Sequence, residues 1–224
     1  FLGASINSKS VKKNNLFIPI KGKKKDGHAF IQEALKKKAA FSVSSNQKVK
    51  LIKGKIFSVK NTNTFLNSLA KEKRLSSNAS IIGVTGSSGK TSVKEILGKY
   101  LKFFGDTYYS PRSFNNHYGV PISLCNLEKT HKFGIFEIGM SYPGEINELS
   151  KIIKPHIGII TNVAEAHIEN FQNLDGIARA KGEIINNISK NGFLIIDRDG
   201  KYFKYFEKIA LKKGLTVISF GFSK

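Results

Sequence analysis

Residues 81–91 restrict this chain more than any other stretch. An apolar run, Ile81-Ile82-Gly83-Val84-Thr85, meets Gly86-Ser87-Ser88-Gly89, and Lys90-Thr91 then opens a segment with Val93, Ile96, Leu97, Tyr100, Leu101 and Phe104 at three- and four-residue spacing. The first run is a strand, the last an amphipathic helix, and the glycines permit the sharp turn between them. The same alternation continues downstream. Strands are expected at 133–137, 157–161, 193–196 and 216–220, with helices near 145–153, 175–188 and 202–213, the last stopped by Gly214. Strands that alternate with helices give an α/β fold built on a mostly parallel sheet.

Upstream the pattern is smaller in scale. Residues 15–20 read as a strand, Phe30, Ile31, Ala34 and Leu35 as a helix stripe, and 40–44 as a second strand. A third apolar run at 55–59 precedes a stripe of Phe65, Leu66 and Leu69, after which 71–78 turns polar and charged. The chain therefore divides into a small amino-terminal α/β domain, 1–78, and a larger parallel-sheet domain, 79–224. Because it starts at Phe1 and stops just after a strand, it reads as part of a longer protein, with the second domain incomplete.

Composition narrows the function classes. Cys125 is the only cysteine, which rules out an intrachain disulfide and a thiolate metal cluster and fits a reducing cytoplasm. No apolar run reaches the eighteen or so residues of a membrane span, and no signal peptide is visible, so a soluble protein is expected. The net charge of +21 would attract polyanions, but the lysines are spread along the whole chain. The dense runs, 21–25 and 36–38, do not alternate with aromatic residues as a nucleic-acid-binding surface would. Solvated surface lysine is the better reading.

The Gly86-Ser87-Ser88-Gly89-Lys90-Thr91 loop turns backbone N–H groups toward a helix start, where the dipole also favours a phosphate. Lys90 can reach the outer phosphates of a nucleotide, and Thr91 can offer its hydroxyl to magnesium. The loop departs from the general pattern in having Val84 where the first glycine is usual. Glu137 ends the strand at 133–137, at the sheet edge where ligands collect in open α/β folds. A hard cation wants such oxygen donors, although solvated carboxylates at strand ends are common. His167 follows the strand at 157–161 on the same edge, where surface and structural histidines also occur. Lys181 shares a helical stripe with Ile177, Ile184 and Ile188. A lysine there must snorkel, pair or lose its charge, and a neutral amine can take up carbon dioxide as a carbamate.

Taken in order, several fragments resemble the Mur ligases. They are Thr85–Glu95, then Asn115-Asn116-His117-Tyr118-Gly119-Val120-Pro121, Glu137-Ile138-Gly139-Met140 with Pro143-Gly144-Glu145-Ile146, Thr161-Asn162 with Ala166-His167, and Ala180-Lys181-Gly182-Glu183-Ile184. The Gly-Ser-Ser-Gly loop and the Pro-Gly-Glu-Ile segment look more like the dipeptide-adding member than like the sister ligases, where Gly-Thr-Asn-Gly is usual. Near the amino terminus, Leu16–Gly22 and Asp26–Ile31 look like the family's uridine-nucleotide domain. There Asn7-Ser8-Lys9 replaces the Asp-Ser-Arg often found, removing a carboxylate and a forked guanidinium. Ile195–Gly200 departs likewise from the family's Asn-Ala-Asp-Asp-Pro.

The resemblance implies an ATP- and magnesium-dependent ligase of peptidoglycan precursor synthesis, joining D-alanyl-D-alanine to UDP-N-acetylmuramoyl-tripeptide through an acyl phosphate. It implies ATP contacts from Gly86, Ser87, Ser88, Gly89, Lys90 and Thr91. A first ion would sit on Thr91 and Glu137, a second on His167 and carbamylated Lys181. Lys90, His167 and Lys181 would be the catalytic residues, and Ser8, Asn115, Asn116 and Asn162 would contact substrate. Neither nucleic acid nor membrane is an expected partner, and a monomer is expected. Family members have a third, carboxy-terminal domain, absent here, so an inactive nucleotide-binding fragment is an alternative. A sister Mur ligase or a folylpolyglutamate synthetase-like enzyme is another.

Overall fold

A computed structural model describes residues 1–22, 25–166 and 168–223. The chain forms two compact units, Phe1–Ser76 with Leu124–Glu128, and Ser77–Ser123 with Lys129–Lys224.

The first unit carries strands β1 (Ala4–Ser5), β2 (Leu16–Phe17), β3 (Phe41–Ser44) and β4 (Ile56–Ser58), with helices α1 (Ile31–Lys36) and α2 (Thr62–Leu75). The strands lie in the order β1-β2-β3-β4, every neighbouring pair parallel. Phe17, Ile31, Ala34, Ala39 and Ile56 form its core. Asn61 starts α2 by accepting from the amides of Asn63 and Thr64 at 2.8 and 2.9 Å. Residues 124–128 join this unit because the Asn126 side chain acts as an edge partner for β1. It accepts from the Ala4 amide at 3.1 Å and donates to the Ala4 carbonyl at 3.0 Å.

The second unit continues with β5 (Ser80–Thr85), α3 (Lys90–Leu101), β6 (Thr107–Tyr109), α4 (Gly119–Cys125), β7 (Phe133–Glu137), α5 (Glu145–Ile153) and β8 (Ile157–Ile160). After these come α6 (Leu174–Gly182), β9 (Phe193–Asp197), α7 (Phe203–Lys212) and β10 (Thr216–Phe220). The six strands run in the order β10-β9-β8-β5-β7-β6 with all pairings parallel. β5 is central, and Ile81 through Thr85 are all buried, as a parallel strand covered on both faces requires. Ile82, Val84, Ile135 and Ile159 pack on one another, with Val93, Leu97 and Leu101 of α3 laid against them. The register sets Val84 beside both Glu137 and Ile159, so the turn after β5 and the end of β7 meet at one edge of the sheet.

The α/β architecture agrees with the sequence reading, and the named strands pair in parallel throughout. Several elements differ in extent. The strand expected at 15–20 shrinks to Leu16–Phe17, and β1 and β6, at two and three residues, went unread. The helix expected at 175–188 is α-helical only to Gly182 and continues as a 3-10 helix over Glu183–Asn187.

Candidate functional site

The turn after β5 is shaped by its glycines. Gly86 has φ +147° and lies so close to the Thr161 side chain that any Cβ would collide with it. Gly89, at φ +76°, is the left-handed residue from which α3 starts. Asn162, just beyond β8, clamps the turn. Its side-chain oxygen accepts from the amides of Ser87 and Ser88 at 3.1 and 2.9 Å, and its nitrogen donates to the Ser88 hydroxyl at 2.7 Å. Thr161 donates to the Ser88 carbonyl at 2.6 Å, and Ser87 to the Ala164 carbonyl at 2.7 Å. The Lys90 ammonium folds over the loop, donating to the Gly86 carbonyl at 2.8 Å and the Ser87 carbonyl at 3.3 Å. Burial lowers the pKa of Lys90, an effect partly opposed by the charge of Glu137.

At the loop-helix junction, the hydroxyl of Thr91, the second residue of α3, donates to Glu137 Oε2 at 2.8 Å. Glu137 is buried, and its other oxygen accepts from Asn115 Nδ2 at 2.8 Å. Lys94, fully buried on α3, brings its ammonium to 3.9 Å from Glu137 Oε2 and 3.1 Å from Glu95. A hydroxyl and a carboxylate oxygen converging beside a phosphate-loop helix start are hard oxygen donors of the kind magnesium requires. No cluster of three or more His, Cys, Asp or Glu side chains placed to hold a metal occurs among the described residues. An ion here would therefore depend on Thr91, Glu137 and ligand oxygens.

A cleft of about 950 Å³ opens beside this junction. Gly86, Ser87 and Lys90 of the loop, Asn115, Asn116 and His117, and Lys181 all line it, together with residues between Gly139 and Leu149. Lys181 is 3 % exposed, and burial, reinforced by the charge of Lys90, pushes its amine down to about 7. Asn115 also accepts from the Gly139 amide through its carbonyl at 2.8 Å. Asn116 uses its side-chain oxygen to start α4, accepting from the amides of Tyr118 and Gly119 at 3.1 and 2.9 Å.

The fold thus brings together Gly86, Ser87, Lys90, Asn115, Asn116 and Lys181 on one cleft, with Thr91 and Glu137 hydrogen-bonded to each other. Asn162, expected to contact substrate, spends its side chain on the loop itself. Ser8 belongs to the first unit, where it is buried and donates to Glu33 Oε2 at 3.0 Å. His167 lies outside the described residues. His117, Glu145 and Asn147 line the cleft although no role was read for them in the sequence. For His117 and Glu145 the one signal is membership of the family-like fragments at 115–121 and 143–146; Asn147 lies just beyond them.

The first unit holds its own crevice, about 530 Å³, lined by Ser44 to Gln47 and Ser58 to Lys60 among others. His28 is buried between Asp26, whose carboxylate lies 2.6 Å from Nδ1, and the amide of Ser45, a residue of that crevice, which donates to Nε2 at 3.1 Å. That amide fixes the proton on Nδ1. Hydrogen bonds from the His28 backbone and then its ring hold the Asp26 carboxyl below the usual range.

Sheet, loop and strand-end carboxylate together define a phosphate-loop protein of the parallel α/β class. Family models extend this: residues 84–224 match the Mur ligase middle domain, and residues 2–74 match the model described as Mur ligase family, catalytic domain. The chain belongs to the Mur ligase family. It is 41% identical over 218 residues to the UDP-N-acetylmuramoyl-tripeptide–D-alanyl-D-alanine ligase of Rickettsia prowazekii, covering 97% of this chain and 48% of the relative. Among solved structures it resembles MurF from Acinetobacter baumannii, with TM-score 0.83, 30% identity and coverage of 97% and 48%. It also resembles MurF ligase from Thermotoga maritima in complex with ADP, with TM-score 0.81, 34% identity and coverage of 98% and 50%. The chain spans about half the length of these relatives.

Proposed function

We propose that this chain is the uridine-nucleotide and ATP-binding portion of a ligase that joins D-alanyl-D-alanine to UDP-N-acetylmuramoyl-tripeptide. The observation that carries the reading is the convergence of the Thr91 hydroxyl and the Glu137 carboxylate at 2.8 Å, at the start of the helix that carries Lys90. In this reading ATP phosphorylates the carboxylate that ends the tripeptide, and the amine of D-alanyl-D-alanine attacks the acyl phosphate. Phosphate leaves and an amide forms. The loop amides and Lys90 stabilise charge on the phosphoryl group in transfer. Asn115, held by Glu137, aligns the tripeptide carboxylate beside the loop, and Asn116 contacts substrate from the same cleft. Ser8 belongs to the uridine-nucleotide end, and Asn162 acts through the loop it clamps.

Thr91 and Glu137 would hold a magnesium ion, and His167 with carbamylated Lys181 a second. Bound there, the ions would supply neutralisation of phosphate charge. A Lys181 amine with a pKa near 7 has a large neutral fraction at physiological pH, the form that adds carbon dioxide.

Calorimetric titration with an unhydrolysable ATP analogue and magnesium tests the reading. Saturable binding to the chain, weakened at least about tenfold in Lys90→Ala, is the expected result, since a charge-assisted contact to phosphate is worth about 1.5–3 kcal/mol. A folded chain that binds no analogue, alone and within the full-length ligase, would show that the loop has been misread. Phosphate release stimulated by D-alanyl-D-alanine, and not by single amino acids or glutamate, separates this activity from those of the sister ligases and folylpolyglutamate synthetases.

A further inference from the structure

The cleft wall formed by residues between Gly139 and Leu149 is a loop followed by the first turns of α5. Such a loop presents backbone N–H groups that need acceptors. Two carboxylates provide them. Glu145, the first residue of α5, accepts from the Ser141 and Tyr142 amides at 2.5 and 3.0 Å. Glu183 comes from a different element, and its two oxygens accept separately, Oε1 from the Gly144 amide at 2.7 Å and Oε2 from the Asn147 amide at 3.0 Å. Placed at the amino-terminal end of α5, the carboxylate also meets the favourable end of the helix dipole.

Glu183 stands two residues beyond Lys181, whose side chain lines the same cleft. The chain passes from α-helix to 3-10 helix at Glu183, and the same short helix continues the joint. Asn187 donates to the Asn147 carbonyl and side-chain oxygen, each at 3.1 Å, and to the Ser150 hydroxyl at 2.9 Å. One short segment therefore carries a cleft lysine and fixes the backbone of the cleft wall. The Pro143-Gly144-Glu145-Ile146 and Ala180-Lys181-Gly182-Glu183-Ile184 fragments are two halves of this joint.

We propose that Glu183 is a positioning residue: it sets the 139–149 wall relative to Lys181, and so governs the grip of the cleft on the UDP-linked tripeptide while leaving the phosphate loop untouched. The proposal rests on the ligase reading above. Glutamine at 183 keeps one acceptor oxygen but turns an NH2 group toward the other amide, breaking one of the two bonds.

Three measurements on the wild-type chain and on Glu183→Gln test this: affinity for the magnesium-bound ATP analogue, affinity for UDP-N-acetylmuramoyl-tripeptide, and amide hydrogen exchange. In E183Q the tripeptide should bind roughly tenfold more weakly, the scale of one lost charge-assisted hydrogen bond, with the analogue within about twofold of wild type. The amides of Gly144 and Asn147 should exchange faster while the loop after β5 keeps its protection. Glu183→Asp, which keeps the charge on a shorter arm, should show the same selective loss; it serves as the test should E183Q fail to fold. Unchanged tripeptide affinity with faster exchange would overturn the proposal, reducing Glu183 to a structural joint. Unchanged exchange would overturn it too, since the contact would then not govern the wall. A wild type that binds neither ligand, alone and within the full-length ligase, would instead count against the ligase reading.

Discussion

Lys181 was legible as unusual because helical spacing alone put it in line with Ile177, Ile184 and Ile188, and all four side chains are buried. Its surroundings were not legible, because Lys90 approaches it from an element far away in sequence. Folding takes this amine from an ordinary value near 10.5 to about 7, through burial first and the charge of Lys90 second. The sign follows from proton counts. Below about pH 7 both folded and unfolded chains hold the proton, and the folded state carries the full cost of a buried cation. Between about 7 and 10.5 the unfolded chain binds more protons, so this group's cost to stability shrinks as pH rises. Lys181→Met, in buffer free of carbon dioxide, should therefore raise the melting temperature at pH 6 by an amount worth about 2–4 kcal/mol, and by clearly less at pH 9. A gain that is flat across this range would mean that the amine is paired or solvated in solution. His117 shows the opposite limit. It lines the cleft, yet nothing in its local spacing separates it from a surface histidine.

Elements were readable where they are long and apolar. β7 and β10 fall where their apolar runs begin and end, and α5 spans its expected stripe. β1 and β6 are too short for a period of two to register, and α4 begins at Gly119 and contains Pro121, residues that normally signal a break. Its start depends on Asn116, whose capping role becomes visible only with the fold. Helix α3 contains another contradiction of local preference. Gly98 sits in the helix interior, where it should cost about 1 kcal/mol relative to Ala. Its reason is the sheet: a Cβ there would drive into the Tyr109 ring of β6, which also carries the Lys102 ammonium 5.3 Å from its centroid. Overpacking costs about 1–3 kcal/mol, so it outweighs the propensity gain. Gly98→Ala should cost a net of about 1 kcal/mol of stability, read as a lower urea midpoint at unchanged slope. A rise in the midpoint would show that Tyr109 yields freely and that α3 is not pinned to the sheet edge.

At the scale of the whole chain the dominant physical fact is charge, with 37 Lys and Arg against 16 Asp and Glu for a net +21. Described ion pairs such as Lys37–Glu33 and Lys204–Glu207, each at 2.9 Å, join neighbours on a helix surface, where water and salt leave such a pair worth little. Basic side chains outnumber acidic ones by 21, and the mutual repulsion of the cations favours the expanded chain. Monovalent salt screens both effects, with a Debye length near 10 Å at about 0.1 M. Repulsion summed over many distant lysines loses more to screening than a few close pairs do. The melting temperature should therefore rise by a few degrees as sodium chloride goes from about 0.05 to 0.3 M. Chloride is the anion to use, because sulfate or phosphate could also bind at the loop after β5 and stabilise for a different reason. A melting temperature that falls with salt would mean that attraction between specific pairs outweighs the spread repulsion. The basic charge would then be organised into networks or a patch, and salt-dependent retention on DNA would become the measurement that decides whether such a patch has a partner.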